Sequence, residues 1–229
     1  MKLIALILSF IAISSFLYKR GTKVDLSDVF RKSVASLSFI FVAIVALRIE
    51  SDGIMAFITM GLVSALLGDI FLDLKYAYPN DEKYFLPAGI ISFSITHCFY
   101  IYAFMKDGNL FSFLPIALMC ITFIFSIILI TITEEKMKLD FDKNRPLVVL
   151  YTAIVSVSTI TSFIAAVCNP ESDTVIRASG MLMFFISDLL LSFIYFRKIE
   201  KEKIMKILIF FNHLTYYVGQ LLIASSLNF

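Results

Sequence analysis

The stretch Gly61-Leu62-Val63-Ser64-Ala65-Leu66-Leu67-Gly68-Asp69-Ile70-Phe71-Leu72-Asp73 lies in a segment that is apolar enough to cross a bilayer, yet it carries carboxyl groups. A charged side chain deep in a membrane helix costs at least about 2.5 kcal/mol, so such residues usually mark functional sites. Gly61, Ala65 and Asp69 are spaced four residues apart and lie on one helix face. Because small residues let neighbouring helices approach closely, we expect Asp69 to point into a packed helix bundle and not at lipid.

A second segment repeats this pattern: Gly180-Met181-Leu182-Met183-Phe184-Phe185-Ile186-Ser187-Asp188-Leu189-Leu190-Leu191. In both segments an aspartate follows a glycine by eight positions. His97 and His213 are likewise each followed three residues later by a tyrosine. These echoes predict two four-helix halves that form a parallel internal repeat. They also favour a site at Asp69 and Asp188, although each could instead be a structural carboxyl that is satisfied by hydroxyl groups.

The composition places the chain among membrane proteins. Of its 229 residues, 59% are hydrophobic and 17% are charged, and the mean hydropathy is +0.89. A water-soluble domain of this length is not so apolar, so we predict one all-α, polytopic transmembrane domain over residues 1–229. The net charge of +2 gives no indication of nucleic-acid binding. The three cysteines lie in apolar segments and have no disulfide-type or metal-type spacing.

Eight segments are long enough to be spanning helices. They are 2–18, 33–49, 53–74, 85–105, 110–132, 147–168, 176–196 and 205–226. We expect the first to be retained as a helix, because its basic cluster follows the apolar run and no small-residue cleavage site is present.

The basic residues predict the orientation. All but four of the 20 lysines and arginines lie in or beside the loops after predicted helices 1, 3, 5 and 7. The exceptions are Lys2, Arg48, Lys106 and Arg177. Loops rich in lysine and arginine stay in the cytoplasm. Both termini are therefore expected outside the cytoplasm, and the two aspartates toward the cytoplasmic leaflet.

The last predicted helix carries a polar stripe. His213, Tyr216, Tyr217 and Gln220 fall on one helical face, and Asn212 is adjacent. A polar face inside a membrane must meet other polar groups or a cavity. The stripe is therefore either part of a binding site or a hydrogen-bonded seam between helices.

Other polar residues are weaker candidates. His97 is a candidate for the wall of a site, or a satisfied core histidine. Asp73 is expected at the cytoplasmic interface, as a helper near a head group. Arg145 begins predicted helix 6 and could bind a phosphate head group, but arginine at an interface is also ordinary topology. Two histidines without a Cys/His cluster do not match zinc ligand sets, so no metal and no cofactor are expected.

A pair of buried carboxyl groups supports acid–base catalysis. Two nearby carboxyls in apolar surroundings do not both ionise readily. One can keep its proton and act as a general acid, while the other stabilises a developing cation or activates water. The three leucines after Asp188 favour it as the acid, and Asp69 is assigned the second role.

The ordered set of these motifs resembles the YhhN-like family over essentially the whole chain. The set is Gly68-Asp69, His97-x-x-Tyr100, Tyr151, Ser187-Asp188 and Tyr216-Tyr217-x-x-Gln220. Family members include lysoplasmalogenases. The resemblance implies an eight-helix layout, with Asp69 and Asp188 as the catalytic pair and His97, Tyr100, Tyr216, Tyr217 and Gln220 lining the site. His213 stands where no fixed family residue is expected.

The resemblance also implies the reaction. Lysoplasmalogenases hydrolyse the vinyl-ether bond of lysoplasmalogens to a fatty aldehyde and a glycerophospho-head group. Vinyl ethers hydrolyse by protonation at carbon, and water then captures the oxocarbenium ion, which calls for an acid and a nearby anion but no metal. The expected partners are a lysophospholipid, water and membrane lipids. Two alternatives stay open: a small proton-coupled transporter, and another lipid hydrolase such as an amidase.

Overall fold

The computed structural model describes residues 2–47 and 53–226, and these residues form eight α-helices and no strand. The helices are α1 (Lys2–Lys19), α2 (Leu26–Leu47), α3 (Gly53–Ala77), α4 (Glu82–Asp107), α5 (Phe113–Met137), α6 (Arg145–Cys168), α7 (Ser172–Phe196) and α8 (Glu202–Ser225). Short 3₁₀ turns precede α4 and α6. The predicted all-α class is confirmed.

Seven of the eight helices, α2 to α8, are long and apolar enough to cross a membrane, and α1 is a shorter apolar helix. Large apolar side chains that face outward, such as Ile121, Phe125 and Ile128 on α5, fit a lipid environment. The chain is therefore a multi-pass membrane protein. The predicted and observed helix ends differ by only a few residues, except at the start of α2. Residues 48 and 49, where the second predicted helix ends, lie outside the described residues.

The predicted start of α2 at residue 33 is wrong, because the helix begins seven residues earlier. Asp25 Oδ1 accepts a hydrogen bond from the backbone N–H of Asp28 at 3.0 Å, and Asp28 Oδ2 accepts one from the N–H of Asp25 at 3.1 Å. This reciprocal capping box satisfies two backbone donors that a helix N-terminus leaves free. Hydrogen bonds from the Ser27 hydroxyl and the Asp28 N–H also hold the pKa of Asp25 below its ordinary value.

The earlier start changes the position of two basic residues. Arg31 and Lys32 were expected in a loop, but both lie inside α2. Lys32 and Ser36 are four residues apart on one helix face, and both are buried. A lysine thus enters the bundle interior beside the predicted aspartates.

Two helix pairs are packed tightly through glycines, α3 with α4 and α7 with α8. A Cβ atom on Gly219 would lie 2.7 Å from Gly180 O and 2.9 Å from Phe184 N. Since backbone atoms cannot move aside as a flexible side chain can, both glycines are needed for this close approach. On α3, a Cβ on Gly68 would meet the Phe93 ring of α4 at 2.6 Å. Asp69 and Asp188 each lie on a helix that these contacts hold in place.

The helix contacts follow a recurring pattern. Helix α4 packs on α6, and α8 packs on α2. If the chain consists of two four-helix halves related by a twofold axis, α4 corresponds to α8 and α6 to α2, so these two contacts are equivalent. Within the described residues, α5 packs chiefly on α6 and stands at the edge of the bundle. The parallel internal repeat stays a prediction that this pattern supports.

Candidate active site

A cavity of about 170 Å³ lies between α2, α3, α4, α7, α8 and the loop between α1 and α2. We call it the polar cavity. It is lined by Arg20, Gly21, Thr22, Val24, Lys32, Asp69, Leu72, Asp73, Tyr76, Phe93, Asp188, Leu191, Ile194, Tyr195, Met205, Ile209, Asn212, His213 and Tyr216. The two predicted aspartates, Asp69 and Asp188, therefore share one cavity although they lie on different helices.

Asp69 has the denser set of partners. Its Oδ2 accepts hydrogen bonds from the Ser36 and Tyr216 hydroxyls, each at 2.6 Å. Its Oδ1 lies 3.2 Å from Lys32 Nζ. The residue is 2% exposed. The cation and the two hydroxyl donors favour the ionised form of this carboxyl, whereas burial opposes it.

A chain of hydrogen bonds extends from Asp69 away from the polar cavity. The Tyr100 hydroxyl donates to Gln220 Oε1 at 2.8 Å, and Gln220 Nε2 donates to the Tyr216 hydroxyl at 3.3 Å. Tyr216 in turn donates to Asp69. Tyr100 and Gln220 are not among the residues lining the polar cavity, so these two residues form a seam that orients Tyr216. Their contact with substrate stays a prediction.

Asp73 is fully buried within the bundle. Its expected depth at the cytoplasmic interface and its role near a head group stay predictions. Arg20 Nη1 and Nη2 donate to its two oxygens at 2.6 and 2.8 Å, and Lys32 Nζ lies 3.3 Å from Oδ1. This paired geometry is the one in which arginine binds carboxylates most strongly. Arg20, Lys32, Asp69 and Asp73 therefore form a group of two cations and two carboxylates, in which the charges balance.

Asp188 has a different environment. The Tyr151 hydroxyl donates to its Oδ2 at 2.6 Å, and no lysine or arginine of the described residues forms an ion pair with it. The residue as a whole is half-buried. Asp69 and Asp188 thus share one cavity but differ in charge partners.

His97 lies behind Tyr151 and is completely buried. Its Nε2 is 3.5 Å from the Tyr151 hydroxyl, and its ring meets the Phe184 ring edge-on at 4.7 Å between centroids. Within residues 2–47 and 53–226, no group forms a hydrogen bond with its Nδ1. His97 lines neither the polar cavity nor the space beside it, and Tyr151 lies between its ring and Asp188.

A second cavity of about 80 Å³, which we call the apolar cavity, meets Asp188 from the other side. It is lined by Leu72, Ile90, Phe93, Ile130, Val148, Tyr151, Thr152, Val155, Phe185, Asp188, Leu189, Leu191, Ser192, Tyr195 and Phe196. Most of these side chains come from α6 and α7. Asp188, Leu72, Phe93, Leu191 and Tyr195 belong to both cavities.

The polar residues around Asp188 and α8 hold α7 and α8 together. Asn212 Nδ2 donates to the carbonyl of Ser187 at 2.8 Å and to its hydroxyl at 2.9 Å. His213 Nδ1 lies 2.7 Å from the carbonyl oxygen of Ile209 on its own helix. Asn212 and His213 line the polar cavity, whereas Ser187 does not. The bond to Ser187 anchors the turn that carries Asp188.

Two further predicted residues lie away from the cavities. The Tyr217 hydroxyl is 3.2 Å from Ser36 Oγ, so Tyr217 supports a partner of Asp69 without lining the cavity. Arg145 donates through Nε to Glu134 Oε2 at 2.8 Å, and its side chain is 49% exposed. Arg145 is thus a surface residue that bridges α5 and α6. A role in head-group binding stays a prediction.

Sequence reasoning missed Arg20, Lys32 and Ser36. Arg20 and Lys32 were assigned to a basic loop, where they indicated only orientation. The signal that could have found Lys32 is the Asp25-x-x-Asp28 capping box, which places it and Ser36 on one helix face. No local signal identifies Arg20, because its partner Asp73 is 53 residues away in the chain.

Within the described residues, no group of three or more His, Cys, Asp or Glu side chains could hold a metal ion. The described residues instead place two different carboxyls around a shared space: Asp69, which pairs with Lys32, and Asp188, which pairs with no lysine or arginine among them. Such a pair can supply an acid and an anion to one bound molecule.

Comparison with known proteins assigns the chain to a family. The model of the YhhN family matches residues 29–227, which is nearly the whole chain. No curated protein and no solved structure matches the chain. The matched range includes every helix from α3 to α8, both aspartates and Lys32, although it leaves out Arg20. The chain therefore belongs to the YhhN family.

Proposed function

We propose that the chain is a membrane-embedded hydrolase that cleaves the vinyl-ether bond of lysoplasmalogens. The products are a fatty aldehyde and glycerophosphoethanolamine or glycerophosphocholine. The observation that carries the proposal is that Asp69 and Asp188 line one cavity with different charge partners. Membership in the YhhN family is consistent with a hydrolase.

In the proposed mechanism Asp188 is the general acid. A carboxyl without a cation nearby keeps its proton more readily than one paired with lysine. Asp188 transfers this proton to the vinyl carbon that is not bonded to oxygen, and the remaining carbon becomes part of an oxocarbenium ion. Tyr151 holds the carboxyl through its hydrogen bond to Oδ2.

Asp69 completes the reaction. As an anion fixed by Lys32, it stabilises the oxocarbenium ion. It also accepts a proton from the water that attacks the cationic carbon. The resulting hemiacetal gives its hydroxyl proton to the Asp188 carboxylate, and its bond to the glycerol oxygen breaks as that oxygen takes the proton held by Asp69. The free alcohol leaves, and both aspartates return to their starting states. The net reaction consumes one water and needs no oxidant or reductant.

The basic-loop bias supports an orientation in which the polar cavity faces the cytoplasmic leaflet. Arg20, Gly21, Thr22 and Val24 belong to the loop between α1 and α2, and all four line the polar cavity. That loop is one of those expected in the cytoplasm. Both termini then lie outside the cytoplasm. A reporter fused after the last residue should give an extracytoplasmic signal, and a cytoplasmic signal would overturn this orientation.

The direct test is hydrolysis by the purified protein. A vinyl-ether lysolipid and its alkyl-ether counterpart, matched in chain and head group, are supplied in mixed micelles. We expect aldehyde release from the vinyl ether alone. No release from the vinyl ether would contradict the proposal. Release of fatty acid from ester or amide lysolipids instead would indicate another lipid hydrolase.

A proton-coupled transporter is the second candidate. The recurring contacts of α4 with α6 and of α8 with α2 favour it, because many transporters are built from internal repeats. Movement of protons into vesicles that contain the protein, without any hydrolysis, would support this alternative.

A further inference from the structure

The two cavities differ in chemistry and meet at one carboxyl group. The polar cavity holds the charged group of Arg20, Lys32, Asp69 and Asp73. The apolar cavity is walled mainly by aliphatic and aromatic side chains of α6 and α7. Asp188 belongs to both linings. A molecule that occupies both cavities must therefore be polar at one end and apolar at the other, with its junction beside Asp188.

We propose that the apolar cavity binds the part of the substrate's hydrocarbon chain next to the cleaved bond, while the polar cavity takes its polar end. The inference rests on the proposed function for the identity of that bond. The inference goes beyond the proposed function because it assigns each end of the substrate to a cavity and names the helices that contact the hydrocarbon chain.

The rim of the apolar cavity opens toward the membrane. Leu189 lies in its lining and is 49% exposed. Ile130 of α5 also lines it, and α5 stands at the edge of the bundle. A hydrocarbon chain can therefore leave the cavity past Leu189 and continue among lipid tails. Since the cavity is small, only the first carbons after the bond lie inside the protein.

This arrangement predicts how the protein selects substrates. Carbons inside the apolar cavity are removed from water and contact protein, so each contributes to binding. Carbons beyond the rim meet lipid whether or not the substrate is bound, and they contribute little. Binding should depend on the first few carbons of the chain and be nearly independent of its total length.

A photolabelling experiment tests the assignment without requiring hydrolysis. The probe is an alkyl-ether lysolipid with a diazirine on the third chain carbon, added to the full-length protein in mixed micelles. Label on peptides of α6, with or without label on α7, is the expected result, because α6 lines the apolar cavity and not the polar one. Label that falls mainly on α1, α2 or α8 would overturn the inference, because it would place the chain in the polar cavity.

A matched pair of variants sharpens the test. Thr152 and Thr159 lie two turns apart on α6, are similarly half-buried, and each donates its hydroxyl to the carbonyl four residues earlier. Only Thr152 lines the apolar cavity. Thr152→Trp should fill the cavity and lower labelling at least about tenfold, as expected for several methylene groups losing their burial. Thr159→Trp should label like the wild type. Equal labelling of both variants would overturn the inference.

Two readouts keep the outcomes distinct. If Thr152→Trp does not accumulate in the membrane, Thr152→Leu provides a milder block, and the peptide map of the wild type stands alone as a test. Labelling of α6 in a protein that releases no aldehyde would refute the proposed function but would support the apolar cavity as the binding site for the hydrocarbon chain. Aldehyde release together with label on α8 would support the proposed function but would refute the assignment of the hydrocarbon chain to the apolar cavity.

Discussion

Lys32 Nζ lies 3.2 Å from Asp69 Oδ1, and the two side chains are only 7% and 2% exposed. Bringing both charges out of water is costly, so the pair persists because each stabilises the charged form of the other. Asp188, across the same cavity, has Tyr151 as its hydrogen-bond donor, and no lysine or arginine in the described part of the chain forms an ion pair with it. Lys32 therefore favours the ionised form of Asp69, and within the described residues no lysine or arginine does the same for Asp188.

The first prediction concerns Lys32. Replacing it with methionine leaves Asp69 buried without its cation, and breaking a buried pair typically costs about 3–5 kcal/mol. We expect Lys32→Met to lose most of the hydrolysis rate, while Lys32→Arg retains part of it because the charge remains. The kinetic parameters kcat and KM of the purified variants measure this.

The control for Lys32 is Lys206→Met. Lys206 forms an exposed pair with Glu202 on α8, and such pairs contribute at most about 1 kcal/mol. The kcat of the Lys206→Met variant should match that of the wild type. A normal kcat in Lys32→Met would show that the anion at Asp69 does not depend on Lys32.

The second prediction concerns the two aspartates. Asp69→Asn and Asp188→Asn keep the shape of the side chain, but an amide has no acidic proton and no negative charge. A general acid or base typically contributes about 10²–10⁴-fold to the rate. Each variant should insert normally and lose at least about 10²-fold in kcat. Asp142→Asn, in the exposed loop before α6, is the control. Full activity of either variant would remove that residue from the mechanism.

The third prediction concerns the stability of the Arg20–Asp73 pair. Asp73→Asn leaves the Arg20 guanidinium, whose side chain is 6% exposed, without its carboxylate. We expect a loss of about 3–5 kcal/mol in the free energy of unfolding, measured by denaturant titration in mixed micelles. The double variant Arg20→Gln/Asp73→Asn removes both charges and should recover part of this loss. Strictly additive single effects would show that the two side chains do not interact.

The fourth prediction concerns the order of proton transfer. If protonation of carbon limits the rate, hydrolysis should be slower in D₂O than in H₂O. The aldehyde should also carry one deuterium on the carbon next to the carbonyl. Reduction with borohydride immediately after release prevents later exchange, and mass spectrometry then counts the deuterium. Aldehyde without deuterium at this carbon would exclude protonation by a solvent-exchanged acid.

The sequence reveals much of the fold because membrane helices must satisfy their backbone groups internally. Segments long and apolar enough to span are therefore recognisable without a structure, and the expected set differs strongly from the observed one only at the start of α2. The paired aspartates were also recognisable, since a carboxyl inside an apolar segment is too costly to be incidental.

The sequence by itself determined that this is an all-helical membrane protein with Asp69 and Asp188 inside the bundle, because helix periodicity and the cost of buried charge act locally. Only the tertiary structure decided that Lys32 pairs with Asp69, that Arg20 pairs with Asp73, and that Asp188 binds Tyr151 but no lysine or arginine of residues 2–47 and 53–226. These contacts join residues 37 to 53 positions apart, so they depend on how α2, α3, α6 and α7 pack and on the loop after α1. No local pattern encodes them. The difference in charge partners between Asp69 and Asp188 is therefore a property of the packed bundle.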